Sequence, residues 1–199
     1  MIANIIIDIG GLLFDVDGSG FMLNEIYPKI DLNTLWKEWQ QCSTVIEFEE
    51  GRINYEEFAE GIISYFGLRM TKQKFMYEFT KWASSPYPES RYLLKTLKKR
   101  NYYLATLCNT NEVHWKIINE TDNFLEYFNC KIASHEIGVV KPKAKSFEIL
   151  LDKCNLKNDV YYFDDQIRNV EAAIQRRIKA YHVTSTKELK MALQNLGIL

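Results

Sequence analysis

The chain has 199 residues, with 25 basic and 26 acidic side chains and a formal net charge of −1. Apolar residues make up 47% and Gly and Pro only 9 and 4 positions, which fits a globular protein and excludes collagen-like or low-complexity chains. The balanced charge excludes a whole-protein field for nucleic acid or an anionic membrane, though not a local basic pocket.

No apolar run approaches the roughly 18 residues of a membrane span. Met1-Ile2-Ala3-Asn4 lacks the basic start of a signal peptide. Cys42, Cys108, Cys130 and Cys154 are widely spaced, without a CxxC pair. They are expected to be reduced thiols in a cytoplasmic protein. Within the first twenty residues, Asp8, Asp15 and Asp17 interrupt a strongly apolar stretch.

The first apolar run, Asn4–Ile7, reads as a buried parallel strand. The next such run comes only at Tyr102–Leu107, and the intervening residues 20–85 show helical patterns and no convincing strand. Leu35–Trp39 and Phe75–Trp82 are two helical candidates. A third starts from Asn54, an N-cap with Glu57 three positions on, and stops at Gly67. About 65 residues far exceeds a βα loop, so 20–85 reads as a helical insertion that Pro86 and Pro88 close. Helix Glu89–Lys99 precedes the second strand. Strand Lys131–Ser134, helix Ala144–Cys154, strand Val160–Phe163, helix Asn169–Arg177 and a weaker strand Ala180–Val183 follow. Strand alternating with helix argues for an α/β sheet with right-handed crossovers.

Each strand ends in a polar cluster. Asp8-Ile9-Gly10-Gly11 follows the first, Cys108-Asn109-Thr110-Asn111 the second, and Asp164-Asp165 the fourth. Lys141-Pro142 follows the third by a short loop. Ligands bind beyond the carboxyl ends of strands in such sheets, so these clusters converge. Carboxylates without a His or Cys cluster make a hard oxygen site, suited to Mg²⁺ rather than Zn²⁺. A lysine beside them offsets charge and binds an anionic oxygen. An aspartate at a strand end can act as a nucleophile.

The ordered set Ile5-Ile6-Ile7-Asp8-Ile9-Gly10, Cys108-Asn109-Thr110-Asn111, Lys141-Pro142 and Asp164-Asp165 through Asn169 resembles the haloacid dehalogenase superfamily. It is most similar to the small phosphatases with a helical cap, the group that includes bacterial α-glucose-1-phosphatase. The resemblance spans almost the whole chain, including the segment Phe48–Phe58. It implies an α/β, Rossmann-like parallel sheet core over 1–19 and 86–199, with an inserted α-helical cap over 20–85. It implies Asp8 as nucleophile and metal ligand, with the Gly10 carbonyl, Asp165 and the adjacent Asp164 completing a Mg²⁺ site. Lys141 would bridge nucleophile and phosphoryl group. Cys108, the Asn109 backbone and Thr110 would bind phosphoryl oxygens. The expected partner is a small phosphorylated metabolite, with neither nucleic acid nor membrane; the choice of monomer or homodimer stays open.

Two departures bear on activity. Many of these phosphatases carry an Asp general acid/base at the position of Gly10, which here cannot transfer a proton. Position 108 is usually Ser or Thr, and Cys is a weaker donor. A catalytically weak binding or regulatory protein, and a metal-independent dehalogenase, are therefore the alternatives. Asp15-Val16-Asp17-Gly18-Ser19 matches the superfamily's DxDG[ST] pattern better than Asp8 does. The nucleophile must follow a strand, however, and Ile5-Ile6-Ile7 is the better strand. Asp15 and Asp17 then lie in the loop leading to the cap, facing the site mouth.

The remaining conspicuous side chains read as structural or as surface. His114, His135 and His182 show no ligand spacing and are expected to be satisfied or at the surface. Trp36, Trp39, Tyr55, Phe58 and Phe66 read as cap core. Arg52, the run from Lys95 to Arg100 and the acidic stretch Glu47–Glu50 read as solvated surface. Asn169 reads as a residue bracing the metal loop. A cysteine nucleophile lacks any identifiable base.

Overall fold

The computed structural model describes residues 3–26, 29–156 and 159–199; Met1 and Ile2 of the chain start lie outside them. β1 (Asn4–Ile7) is the centre of a five-stranded sheet. The chain continues through β2 (Phe14–Val16), α1 (Ser19–Glu25), α2 (Leu32–Gln41), α3 (Ser43–Glu49), α4 (Tyr55–Phe66) and α5 (Lys72–Thr80) to β3 (Ala83–Pro86). It then forms α6 (Pro88–Lys99), β4 (Tyr103–Cys108), α7 (Glu112–Glu120), a short 3-10 turn (Phe124–Tyr127), β5 (Cys130–Ala133) and α8 (Ser134–Ile137). α9 (Ala144–Lys153), β6 (Val160–Asp164), α10 (Ile167–Ile174), β7 (Lys179–His182) and α11 (Thr186–Asn195) complete it.

The sheet order is β5-β4-β1-β6-β7, and every pairing is parallel. Side chains alternate between its two faces, as a pleated strand requires. Ile5, Ile7, Leu104 and Phe163 pack with Leu93, Leu94 and Leu97 of α6 and Leu189 and Leu193 of α11. Ile6, Ala105, Leu107 and Tyr162 pack on the other face with Phe147 and Leu150 of α9 and Ala172 and Ala173 of α10. Strands buried on both faces read as continuous apolar runs, which is why four of the five stand out in the sequence while the more exposed edge strand β7 reads as the weaker one.

The inserted helices bury a third cluster of their own, including Leu35, Phe48, Phe58, Phe75, Phe79 and Trp82. α4 forms as expected. Asn54 and Glu57 make a reciprocal capping box, and Gly67 ends the helix in the left-handed conformation. The insertion is not wholly strand-free. β3 begins at Ala83 and pairs antiparallel with β2, making a small ribbon at its base. Both strands are too short to show periodicity.

Two further expectations are corrected. Asp15 sits on β2 rather than in a loop, where Ser84 Oγ donates to its Oδ2 at 2.7 Å. Asp17 accepts from the Ser19 backbone N–H at 2.8 Å. Neither lines the cavity described below. The four cysteines are not all thiols either. Cys130 and Cys154 are bonded, with Cα atoms 5.9 Å apart. A separation of 24 residues hides this closeness, because α9 runs back along β5 and brings its C-cap beside the first residue of that strand. Cys42 and Cys108 are free and buried. The thiol argument for a reducing compartment therefore no longer applies. Among the described residues, no helix is long and apolar enough to cross a membrane.

Candidate active site

Asp8 directly follows β1, Cys108 ends β4, Asp164 ends β6, and Ser134 follows β5. These strand ends meet on one side of the sheet, where parallel α/β proteins build their sites. The sequence clusters do converge there. Asp8, Gly10, Cys108, Asn109, Thr110, Lys141 and Asp165 all line one cavity of about 750 Å³.

Lys141 is the hub. It is 3% exposed, and its Nζ donates to Asp8 Oδ1 at 2.8 Å and to Asp164 Oδ2 at 2.7 Å. Burial alone would lower its pKa, but Asp164 and Asp8 together hold it well above the ordinary lysine value. It is a fixed cation. Its backbone is clamped by Asn109, whose Nδ2 donates to the Lys141 carbonyl at 2.9 Å and whose Oδ1 accepts the Lys141 N–H at 2.7 Å. The Asn109 side chain is thus committed to the lysine, leaving its backbone for any ligand.

Asp164 is fully buried and saturated with donors. Besides Lys141 it accepts from the Tyr162 hydroxyl, from Gln166 N–H at 2.8 Å, and from Asn169 Nδ2 at 3.0 and 3.2 Å. Asn169, on the first turn of α10, braces this carboxylate as expected. Asp8 differs. Its Oδ2 makes no hydrogen bond among the described residues, while Cys108 Sγ lies 3.4 Å from its Oδ1. Burial pushes the Asp8 carboxyl up to about 7, with Lys141 pulling it down and Asp164 and Asp165 adding repulsion. Asp165 is raised for the same reasons, burial first and then Asp164. Burial also raises the Cys108 thiol, so position 108 presents a neutral S–H rather than a nucleophilic thiolate.

Asp8, Asp164 and Asp165 offer oxygens that all lie within 4.8 Å of one another. One lysine does not neutralise three carboxylates, and repulsion between them adds to the burial that raises Asp8 and Asp165. An all-oxygen, net-negative set with no His or Cys ligand suits a hard divalent cation such as Mg²⁺. Gly10 is open to the cavity, and a Cβ built there meets nothing within 4 Å. Thr110 keeps its place through Ser134, whose Oγ accepts its N–H and donates to its carbonyl, both at 2.9 Å.

The opposite wall comes from the inserted helices. Trp36, Trp39 and Gln40 of α2 and Val45, Ile46 and Glu49 of α3 line it, with Phe79 and Trp82 behind. Trp36 is therefore a cavity residue rather than buried core, whereas Trp39 lines the cavity and also packs on the core rings of Phe58, Phe66 and Trp82; Tyr55, Phe58 and Phe66 do not reach the cavity. The acidic stretch is corrected as well. Glu50 is 6% exposed and accepts from the Val140 N–H at 3.4 Å and from Lys143, while Arg52 pairs with it at 3.0 Å. It ties the end of α3 to the loop carrying Lys141. Gly51 has a positive φ of 65°, and a Cβ there would stand 2.4 Å from the His135 carbonyl. That close approach seats the segment on α8. Arg168 of α10 also lines the cavity. Nothing in the spacing of Glu49, Glu50 or Arg168 separates them from surface charges, since their roles depend on the packing of one layer on another. The histidines are satisfied as expected. His114 stacks on Phe79, Nε2 contacts the Phe79 carbonyl at 2.9 Å, and burial lowers its pKa to about 4.

Known proteins share this fold. The family model for haloacid dehalogenase-like hydrolases matches residues 2–175. The D-ribitol-5-phosphate phosphatase of Bacteroides thetaiotaomicron is 22% identical over 179 residues, covering 85% of this chain and 86% of that protein. A solved HAD family enzyme of the same organism, in complex with magnesium and inorganic phosphate, is 25% identical with a TM-score of 0.72. That match covers 92% of this chain and 94% of the other. A predicted HAD-like family hydrolase from Porphyromonas gingivalis is 22% identical, with a TM-score of 0.78 over 98% of both chains. The family match spans most of the chain and all four strand-end clusters, so this protein belongs to the haloacid dehalogenase-like hydrolases.

Proposed function

We propose that the protein is a Mg²⁺-dependent phosphatase that hydrolyses a small sugar or polyol phosphate through an aspartyl-phosphate on Asp8. The observation that carries this is the placement of Lys141 between Asp8 and Asp164, with Asp165 beside them and the second Asp8 oxygen unengaged. The relative named D-ribitol-5-phosphate phosphatase and the relative solved with magnesium and phosphate support it.

Asp8 attacks phosphorus with the oxygen that Lys141 does not hold. Lys141 keeps that carboxylate aimed and meets a phosphoryl oxygen with its remaining donor capacity. Cys108 S–H and the Asn109 and Thr110 loop contribute weaker donors to the phosphoryl oxygens. Asp8, the Gly10 carbonyl and Asp165 would hold Mg²⁺, with Asp164 orienting Lys141 from behind. When bound, the ion screens the repulsion between carboxylate and phosphoryl oxygens. Residues 20–85 act as a cap whose aromatic wall excludes water and selects the leaving group.

A phosphomonoester screen with and without Mg²⁺ tests this, using D-ribitol 5-phosphate as one probe. Mg²⁺-dependent turnover should be lost in Asp8→Asn and kept in Asp15→Asn. The reverse pattern would move the nucleophile to Asp15. No turnover of any phosphomonoester by folded protein that binds Mg²⁺ would leave a binding protein instead.

A further inference from the structure

Hydrolysis of an alkyl phosphate needs a proton for the departing alkoxide and a base for the attacking water, and position 10 offers neither. The cavity's other titratable groups are committed elsewhere. Asp8 is the proposed nucleophile, and Asp165 would hold the metal ion. Lys141 is a fixed cation, and Lys143 is paired with Glu50. Arg168 cannot give up its proton. His114 has Nε2 on the Phe79 carbonyl and Nδ1 at 3.4 Å from Asn111 Nδ2. Cys108 is held as a neutral thiol.

Glu49 remains. It is the last residue of α3 and lines the same cavity as Asp8, and its side chain makes no hydrogen bond or ion pair among the described residues. Its neighbours hold it in place. Glu50 is tied to Val140 and Lys143, and Gly51 lies on the His135 backbone. We propose that Glu49, reaching over from the helical insertion, is the general acid/base of the reaction and takes the place left open by Gly10. This rests on the phosphatase proposal above. In the first step the Asp8 oxygen bonds to phosphorus, the ester P–O bond breaks, and the alkoxide takes the Glu49 proton. In the second, the Glu49 carboxylate takes a proton from water as its oxygen attacks phosphorus. The Asp8–phosphorus bond breaks, inorganic phosphate leaves, and Glu49 is protonated again.

Two features support the assignment. Burial raises the Glu49 carboxyl to about 7, against the pull of Lys141 and Arg168 and with the push of Asp8 and Glu50. A group poised near neutrality can serve in both directions. Gly10 and Glu49 also line the same cavity as Asp8, and the space a Cβ would take at Gly10 is empty.

The test compares Glu49→Gln with wild-type protein on D-ribitol 5-phosphate and on p-nitrophenyl phosphate, whose leaving group needs no acid. Steady turnover of the polyol phosphate should fall by roughly 10²–10⁴-fold. With p-nitrophenyl phosphate the variant should release a rapid burst of one nitrophenolate per enzyme, then stall. The covalent phosphoprotein should accumulate, because the second step lacks its base. A purely structural role would slow the burst and would not build up phosphoprotein. Recovery of turnover in the Gly10→Asp/Glu49→Gln double variant would strengthen the assignment. Polyol turnover by Glu49→Gln within about threefold of wild type would overturn it. So would equal loss of burst and steady turnover. Wild-type protein inactive on both probes overturns the phosphatase proposal itself, and this assignment with it.

Discussion

The two walls of the cavity are built on opposite principles. The sheet-side wall is charged, cross-linked and pinned. Lys141 bridges two carboxylates, and Asn109 clamps its backbone from both sides. The helical wall is aromatic, with Trp36 and Trp39 on its surface, and its one cavity-lining carboxylate, Glu49, has no partner among the described residues. A pinned wall suits the step common to every substrate, in which charge must be met at fixed positions. An aromatic wall with one uncommitted carboxyl suits what varies between substrates, the body and leaving oxygen of the ester.

The largest effect that separates the two walls is expected at Lys141. Lys141→Met leaves Asp8 and Asp164 buried without their cation. Turnover should fall by about 10³-fold or more, and stability should drop by about 3–5 kcal/mol. Urea unfolding and phosphate release read both quantities from one preparation. A variant that loses activity but keeps wild-type stability would mean the carboxylates are met by water, and the pinned wall would be a misdescription.

A smaller effect belongs to the joint between the walls. Gly51→Ala places a Cβ against the His135 carbonyl and strains a positive φ. The cost should be about 1–3 kcal/mol. It should raise KM for a polyol phosphate more than it lowers kcat, since α3 is displaced while Lys141 stays pinned. Loss confined to kcat would show instead that the seat of α3 matters for the chemical step more than for binding.

The difference between the walls also explains what the sequence made legible. Asp8, Cys108, Asp164 and Asp165 each end or follow a buried strand, and parallel pairing carries strand ends to one edge. A local pattern thus implied a long-range meeting, and the five strands were found within a residue or so of their observed bounds. Lys141 was found through its motif. The helical wall has no such rule. Whether Trp36 faces the core or the cavity depends on how α2 lies on the sheet edge, and helical spacing does not encode that. Glu47–Glu50 read as a surface run because its three glutamates, at the end of one helix, differ only in direction. One of them became a tie to Val140 and Lys143, and another entered the cavity. The Cys130–Cys154 bond escaped for the same reason, since it joins a strand start to a helix end.

The smallest effect is a pH dependence that tests how dry the helical wall is. The Glu49 carboxyl titrates near 7 in the folded protein, above the 4.5 of an ordinary glutamate, chiefly through burial. Lys141 and Arg168 oppose the rise, and Asp8 and Glu50 add to it. A group raised in this way contributes stability that is full below its unfolded value and is lost as pH climbs through its folded value. The loss should therefore fall between about pH 4.5 and pH 7. Glu49→Gln cannot ionise, so it should escape that loss. Above pH 7 it should be more stable than wild type by roughly 1–3 kcal/mol once cavity water is allowed for. Near pH 4 the two proteins should coincide. Denaturation midpoints measured without Mg²⁺ across this range give the comparison. Parallel curves would show that water reaches Glu49 freely, and the aromatic layer would then not exclude solvent from the site. Converging curves at low pH would show that one layer of helices desolvates the carboxyl it brings to the cavity.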